Sequence, residues 1–277
     1  MIHFFVLGMQ FRLLSGASEK NSAQKEEIHV NLRTLFLTRN ECYKSGKKHV
    51  PKGIMVHSTG ADNPWLKRYV GPDDGMLGKN EYGNHWNQPT PGGRKVCVHA
   101  FIGRLKDGSI ATYQTLPWDM VGWHSGTGSL GSAQNANNTG YIGFEICEDG
   151  LKDPAYFAGI YREAVELCTY LCRQYNIRPE KPWLICHSEG AELGIASSHA
   201  DVMHWFPRHG KNMDTFRADV RTELEKTANN ELLQAVELIS SKVPGGIDVK
   251  MWSGNDKEWK AKYVDTLLIK IANAWKG

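Results

Sequence analysis

The stretch YIGFEICEDGLKDPAYFAGIYREAVELCTYLCRQY, residues 141–175, decides the fold class of this chain. Its first part, Tyr141–Cys147, is mostly apolar and is typical of a buried strand. The second part, Tyr156–Tyr175, repeats its apolar residues with the period of a helix, and Asn176 and Pro179 favour an end to that helix. A strand followed by a long helix predicts one unit of an α/β fold.

The same alternation of strand and helix patterns continues on both sides of this stretch. Short apolar runs predict further strands at Gly53–Ser58, Val96–Gly103, Ser109–Tyr113 and Trp183–His187. Helical periodicity predicts further helices at Met213–Lys226, Glu231–Ser240 and Glu258–Trp275. We therefore expect an α/β fold in which helices pack on a mixed central sheet, with a small helical appendage at the C-terminus.

Changes in composition divide the chain into three parts. Residues 1–30 combine an apolar start with a polar run and predict a poorly structured N-terminal extension. Residues 31–228 carry the alternating strands and helices of one domain. Residues 229–277 are amphipathic and predict a small helical domain, which could serve targeting, pair two chains or cap the main domain. Two Gly- and Asn-rich loops, at 71–93 and 125–138, are typical of groove walls.

Composition excludes several classes of protein. Hydrophobic residues make up 41% of the 277 residues, which is enough for a core and excludes wholesale disorder. The 33 basic and 30 acidic side chains leave a net charge of only +3, so nothing in the electrostatics predicts nucleic-acid binding. Since no apolar run reaches the length of a membrane-spanning helix, we expect no integral membrane segment.

Several histidines occupy positions that suit chemistry. His57, His99 and His187 lie at or near the ends of predicted strands, where the backbone is fixed and the site is open. His199 and His204 flank Asp201, and His124 begins a loop. A zinc ion takes about four ligands from imidazole, thiolate and carboxylate groups. No local spacing such as HExxH is present, so spacing alone favours ordinary polar histidines.

Glu145 is the other conspicuous candidate. Strand alternation places Gly143, Glu145 and Cys147 on one face of the strand and Phe144 and Ile146 on the other. A carboxylate within an apolar strand is costly unless it is paired, hydrogen-bonded or functional. The residue is therefore either half of a structural ion pair or a general base with a raised pKa.

Six segments, taken in order, make the chain resemble the type-2 N-acetylmuramoyl-L-alanine amidases of phage endolysins and bacterial autolysins, which are related to peptidoglycan recognition proteins. The segments are MVHST, VCVHAFIGRLKDGSIATYQ, GWHSG, NNTGYIGFEICEDG, ICHSEG and ASSHADVMHWF. The resemblance extends from about Lys52 to Val220. It implies a mixed sheet with packed helices and a groove for bacterial peptidoglycan.

The resemblance also assigns roles to individual residues. It implies that His57, His187 and Asp201 bind Zn²⁺, with His199 or His204 as alternatives to Asp201 for the third ligand. It implies that Glu145 is the base that activates water and that His199 stabilises the oxyanion. His99, Trp123 and His124 are expected to line the substrate groove.

The implied reaction is hydrolysis of the amide bond between N-acetylmuramic acid and L-alanine. The implied place of action is the cell wall, which the protein would reach from the cytoplasm at lysis or by secretion. Two other functions are weighed against this one. A recognition module could share the fold without turnover, and a cysteine peptidase could act on the same polymer, with Cys97 and His99 on one strand face as its pair.

Overall fold

The computed structural model describes residues 30–275 of the chain. The strands are β1 (Leu32–Thr34), β2 (Gly53–Asp62), β3 (Ala100–Arg104), β4 (Ile110–Gln114), β5 (Tyr141–Glu148) and β6 (Leu184–Cys186). The helices are α1 (Glu41–Ser45), α2 (Pro154–Tyr175), α3 (His187–Glu192), α4 (Met213–Lys242), α5 (Val249–Ser253) and α6 (Lys257–Ala274). Apart from its last residue, the extension predicted at 1–30 lies outside the described residues.

The strands form one mixed sheet in the order β1-β4-β3-β5-β2-β6. β3 and β4 are antiparallel neighbours, joined by the turn predicted at Lys106-Asp107-Gly108, and the other pairs are parallel. The predicted α/β fold with a mixed sheet is therefore confirmed. Since β2, β5 and β6 are parallel, their carboxyl ends meet at one edge of the sheet, which is where α/β folds place their sites.

The two faces of the sheet have different coverings. Helices α2 and α4 pack on one face, where alternate strand residues such as Ile54, Val56 and Phe144 form the main core with Phe216 of α4. The strand residues between them, such as Met55, point to the opposite face, which loops cover. His57 and Glu145 belong to this second set, so alternation directs both toward the loop-covered face.

The predicted elements differ from the observed ones in two places. The predicted helices Met213–Lys226 and Glu231–Ser240 are one continuous helix, α4, which ends just before Val243-Pro244. The residues between the two predictions include no Gly or Pro, so nothing there breaks the helix. The strand predicted from Val96 begins only at Ala100, since Cys97 makes an isolated bridge to Trp123 instead of joining the sheet.

The C-terminal end is helical, as expected. Because α4 is continuous, the boundary predicted at 229 falls inside it. Helices α5 and α6 contain no buried residue, and Trp252, Trp259 and Tyr263 form an aromatic cluster between them. Across residues 30–275, every helix is too short or too polar to cross a bilayer.

Candidate active site

Three side chains from distant parts of the chain converge at the carboxyl edge of the sheet. His57 lies on β2, His187 is the first residue of α3, and Asp201 opens the 3-10 turn Asp201–His204. The Nδ1 atoms of His57 and His187 are 3.1 Å apart. Asp201 Oδ2 is 3.0 Å from His57 Nδ1 and 2.8 Å from His187 Nδ1. The three donor atoms therefore surround a common point.

The sheet and helix α4 hold the two histidines. His57 is buried on β2, and its register partner on the neighbouring strand β5 is Glu145. His187 begins α3 directly after β6, and the Glu189 carboxylate accepts a hydrogen bond from the backbone N–H of Cys186. Arg217 of α4 donates to both oxygens of Glu189 at 2.9 and 3.1 Å, which fixes this turn against the core.

Asp201 has an unusual backbone. Its φ is +39°, in the left-handed region that side-chain-bearing residues seldom adopt. Three residues further on, the turn ends at His204, whose Nε2 lies 3.0 Å from Glu148 Oε1 at the end of β5. Burial alone would raise the pKa of Asp201, but the His187 and His57 imidazoles in contact with it outweigh burial and lower this pKa. Asp201 is therefore a carboxylate near neutral pH.

Glu145 lies beside His57 on the neighbouring strand and points to the same face. Its Oε2 atom is buried and has no hydrogen-bond partner among the described residues. Burial raises the pKa of Glu145 well above its usual range, and the charges of Asp201 and Glu148 raise it further. A buried carboxyl group with a raised pKa and a free oxygen suits proton transfer.

The site opens into a cavity of about 1000 Å³. His57, Glu145, His187 and Asp201 line it together with exposed side chains of His199 and Trp123. The ring of His199 lies 4.7 Å, centroid to centroid, from that of His187. A cavity of this size with a few convergent polar groups is typical of an enzyme site.

The other two groove candidates lie in different surroundings. His124 is at the cavity wall, and its Nδ1 is 3.0 Å from His57 Nε2. His99 does not line this cavity: it is fully buried, with Nδ1 accepting from the backbone N–H of Gly143 and Nε2 donating to the Met120 carbonyl. Its ring therefore connects β5 to the Met120 loop.

One contact of the site has no signal in the sequence. Ser197 lies in the loop between α3 and Asp201, and its hydroxyl is 3.3 Å from His187 Nε2. A serine between Ala196 and Ser198 has no pattern that marks it as part of a site. Only the return of the chain from α3 to the sheet brings it to His187.

Neither Cys97 with His99 nor Cys186 with His187 forms the pair that a peptidase needs. Cys97 donates its thiol to the carbonyl of Val98, and both ring nitrogens of His99 are engaged by backbone groups. The pKa of Cys97 is raised well above its usual range by a hydrogen bond that it donates to Cys42 and by burial. Cys186 is also buried, which raises its pKa. Neither residue is a thiolate near neutral pH, so neither is a nucleophile.

The chain is similar to several proteins of known structure. Solved structures of similar fold include the catalytic domain of XlyA (22% identity, 69% of this chain and 99% of that chain, TM-score 0.46). Others are a mutant endolysin from Bacillus subtilis (23%, 69% and 99%, TM-score 0.45) and the Staphylococcus aureus hydrolase AmiA in complex with its ligand (18%, 71% and 83%, TM-score 0.48). No curated protein sequence matches the chain.

The family assignment rests on the sequence match. Residues 47–208 match the family model described as N-acetylmuramoyl-L-alanine amidase. This segment is more than half of the chain and contains every candidate site residue, from His57 to Asp201. The resemblance that the six sequence segments predicted is confirmed. The chain therefore belongs to the N-acetylmuramoyl-L-alanine amidase family.

Proposed function

We propose that this amidase depends on zinc, held by His57, His187 and Asp201, and that it acts at the bacterial cell wall. Its reaction is hydrolysis of the amide bond between N-acetylmuramic acid and L-alanine in peptidoglycan. The observation that supports this most directly is the convergence of two imidazole nitrogens and one carboxylate oxygen beside a buried carboxyl group. The confirmed family supplies the substrate class.

The donor set fits a zinc ion. Zinc bonds to nitrogen and oxygen of roughly 2.0–2.1 Å in tetrahedral geometry separate the ligand atoms by about 3.3 Å. The three donor atoms are 2.8–3.1 Å apart, so a small adjustment accommodates the ion. Two histidines and one carboxylate are also a ligand set that catalytic zinc sites use, with the fourth position open.

The protein's own groups then have defined tasks. When bound, zinc supplies a Lewis acid that acidifies water and polarises a carbonyl. Glu145 takes a proton from the attacking water, and the buried, raised-pKa carboxyl delivers it to the leaving amine. His199, exposed in the cavity beside His187, donates a hydrogen bond to the carbonyl oxygen as negative charge develops there. Trp123 offers an aromatic surface to the sugar or peptide.

Digestion of purified sacculi tests the proposal. The full chain is stripped of metal with a chelator, assayed, and assayed again after Zn²⁺ is restored. We expect new free amino groups on L-alanine without new reducing sugar ends, and we expect their appearance to require Zn²⁺.

The matched variants are Asp201→Ala and Asp119→Ala. Asp119 is an exposed carboxylate that pairs with Lys48 away from the site, so its loss should leave the zinc requirement and the rate unchanged. Asp201→Ala should abolish zinc-dependent turnover. Turnover that persists in the metal-free chain, or in Asp201→Ala, would refute the proposal.

A further inference from the structure

We propose that His124 and Ser197 are positioning residues, which fix the tautomers of His57 and His187 so that both rings present an unprotonated Nδ1 to the metal. The inference rests on the proposed zinc function and deepens it. It concerns the Nε2 atoms of His57 and His187, which point away from the proposed metal position. A neutral imidazole carries its proton on one nitrogen, and the hydrogen bond to that nitrogen decides which one remains free.

The tautomer of His57 follows from a chain of two hydrogen bonds. His124 Nε2 lies 3.2 Å from the carbonyl oxygen of Tyr141, and a carbonyl only accepts, so this nitrogen carries the proton. A neutral His124 ring has no second proton to donate. Its Nδ1 must then accept, and the group 3.0 Å away is His57 Nε2. His57 therefore donates from Nε2, which leaves Nδ1 free.

The tautomer of His187 follows from a serine. The Ser197 hydroxyl donates to the carbonyl oxygen of Ser125 at 3.2 Å, so its oxygen is left to accept. His187 Nε2 lies 3.3 Å from that oxygen and donates to it. As in His57, the proton is on Nε2 and the lone pair is on Nδ1.

The two assignments leave unshared electron pairs facing one another. Two Nδ1 lone pairs and the Asp201 carboxylate meet at 2.8–3.1 Å, with no proton assigned between them. Such an arrangement is repulsive without a cation and attractive around one. The positioning residues thus prepare the site for metal before it binds, which lowers the cost of ordering the ligands.

One loop carries both positioning contacts. His124 directly precedes the Gly- and Asn-rich loop at 125–138, the Ser125 carbonyl begins it, and Asn137 near its end fixes the backbone of both. The fully buried Asn137 accepts from the N–H groups of His124 and Ser125 at 2.7 and 3.0 Å. Gly143 of β5 leaves room for the ring, since a Cβ there would lie 2.4 Å from His124 Nδ1. A loop expected to be only a groove wall therefore orients two ligands.

Zinc affinity and ring tautomers test this inference on the full chain. The affinity for Zn²⁺ is measured by competition with a chromophoric chelator. The His57 tautomer is read in the metal-free protein from long-range ¹H–¹⁵N correlations. The variants are His124→Phe, which keeps the ring but removes the acceptor, and His124→Asn, whose amide oxygen can replace Nδ1. Ser197→Ala removes the contact to His187.

Loss of a hydrogen bond behind a metal ligand typically weakens binding about 10- to 100-fold. We expect a loss of that size for His124→Phe and Ser197→Ala, with most of it recovered in His124→Asn. The matched control is Ser132→Ala, which loses an exposed hydroxyl of the same loop that does not line the cavity. The affinity of this control for Zn²⁺ should stay within about twofold of that of the parent, a much smaller change than the loss expected when a hydrogen bond to a metal ligand is removed. In the parent spectrum, His57 should carry its proton on Nε2.

Each outcome has a defined meaning. If the parent binds Zn²⁺ but His124→Phe and Ser197→Ala bind it equally well, the positioning role is wrong and the zinc proposal stands. A His57 proton on Nδ1 in the metal-free parent also overturns it. If the parent binds no Zn²⁺, both proposals fail. Should His124→Phe not fold, Ser197→Ala and the parent spectrum decide.

Discussion

Glu145 is a polar residue within an apolar strand, and the alternation of side chains along the strand explains how it is accommodated. Its neighbours Phe144 and Ile146 point into the core against α2, whereas Glu145 points to the loop-covered face beside His57. The carboxyl group is still removed from water, so its neutral form is favoured and its pKa is raised. The strand thus keeps this carboxyl group at a fixed position without placing it in the hydrophobic core.

Replacement of this carboxyl group should separate catalysis from folding. Glu145→Gln keeps the shape of the side chain but cannot accept a proton, so the turnover rate should fall about 10²- to 10⁴-fold. Zinc binding and thermal stability should be retained. The control is Glu163→Gln, a buried carboxyl group of α2 that accepts from Thr112 at 2.6 Å. Near-parental turnover in Glu145→Gln would contradict its assignment as the base.

His99 is a residue whose burial should be visible in the pH dependence of stability. Burial lowers its pKa to about 3, against 6.5 ordinarily, and His49 stacked on it contributes. The unfolded chain therefore binds this proton first as the pH falls. The contribution of His99 to the free energy of unfolding is complete above pH 6.5 and is lost between 6.5 and about 3.

The variant His99→Gln should remove this contribution while keeping one donor and one acceptor. Between pH 6 and pH 4, the free energy of unfolding of the metal-free parent should fall more steeply than that of the variant, by up to about 1.4 kcal/mol per pH unit. Urea denaturation at several pH values measures both slopes. Parallel slopes would show that His99 is protonated equally in the folded and unfolded chains.

At the scale of elements, the 3-10 turn Asp201–His204 has to bring a carboxylate to two histidines from another part of the fold. Its first residue has a left-handed backbone, which costs energy unless the surroundings fix it. Its last residue, His204, contacts Glu148, and Val202 between them is buried in the core. Both ends of the turn are thus tied to the sheet, one through His57 and the other through β5.

This arrangement predicts different effects for two residues of the same turn. His204→Ala removes a partner of the buried Glu148 and should lower the free energy of unfolding by about 1–3 kcal/mol. The His204→Ala variant should still bind one Zn²⁺ per chain. If His204 rather than Asp201 were the third ligand, the variant would lose its affinity for Zn²⁺. Arg208→Ala is the control, since this exposed side chain contacts only the His204 carbonyl. Calorimetric titration with Zn²⁺ and urea denaturation measure the two quantities.

For the whole molecule, the two faces of the sheet have different roles: one forms the hydrophobic core and the other carries the candidate site. Helices α2 and α4 bury the apolar face and supply most of the core, which leaves the other face free for loops and polar side chains. Helix α4 then extends beyond the core, where Val236 is its only buried residue after residue 229. We propose that the segment after α4 is a separate helical piece, available to bind the cell wall or a second chain.

A truncated chain that ends at Val243 tests this proposal. It keeps both buried valines of the α4 end and removes α5 and α6, which have no buried residues. The free energy of unfolding should change by less than about 1 kcal/mol, because little apolar area is lost from the core. Turnover of a soluble muropeptide should match the parent. A chain that no longer folds would instead make α5 and α6 part of the catalytic domain.

The sequence by itself determined the fold class, most element positions and the family. Hydrophobic periodicity is local, so it is readable wherever a strand or helix has one face against a core, as in Tyr141–Cys147 and Tyr156–Tyr175. Periodicity did not show that the strand predicted from Val96 begins only at Ala100. Backbone pairing depends on which segment lies alongside, and a local pattern carries no information about that segment. Periodicity also divided α4, where the apolar pattern fades once the helix leaves the core.

Only the tertiary structure decided which residues meet. His57, His187 and Asp201 are separated by 130 and 14 positions in the chain, and their convergence depends on strand order and on the left-handed turn at Asp201. The contacts of His124 and Ser197 are equally non-local, as is the burial that takes His99 away from the cavity. A sequence pattern reports which face a side chain takes, whereas the distances that make a site arise only when separate elements pack together.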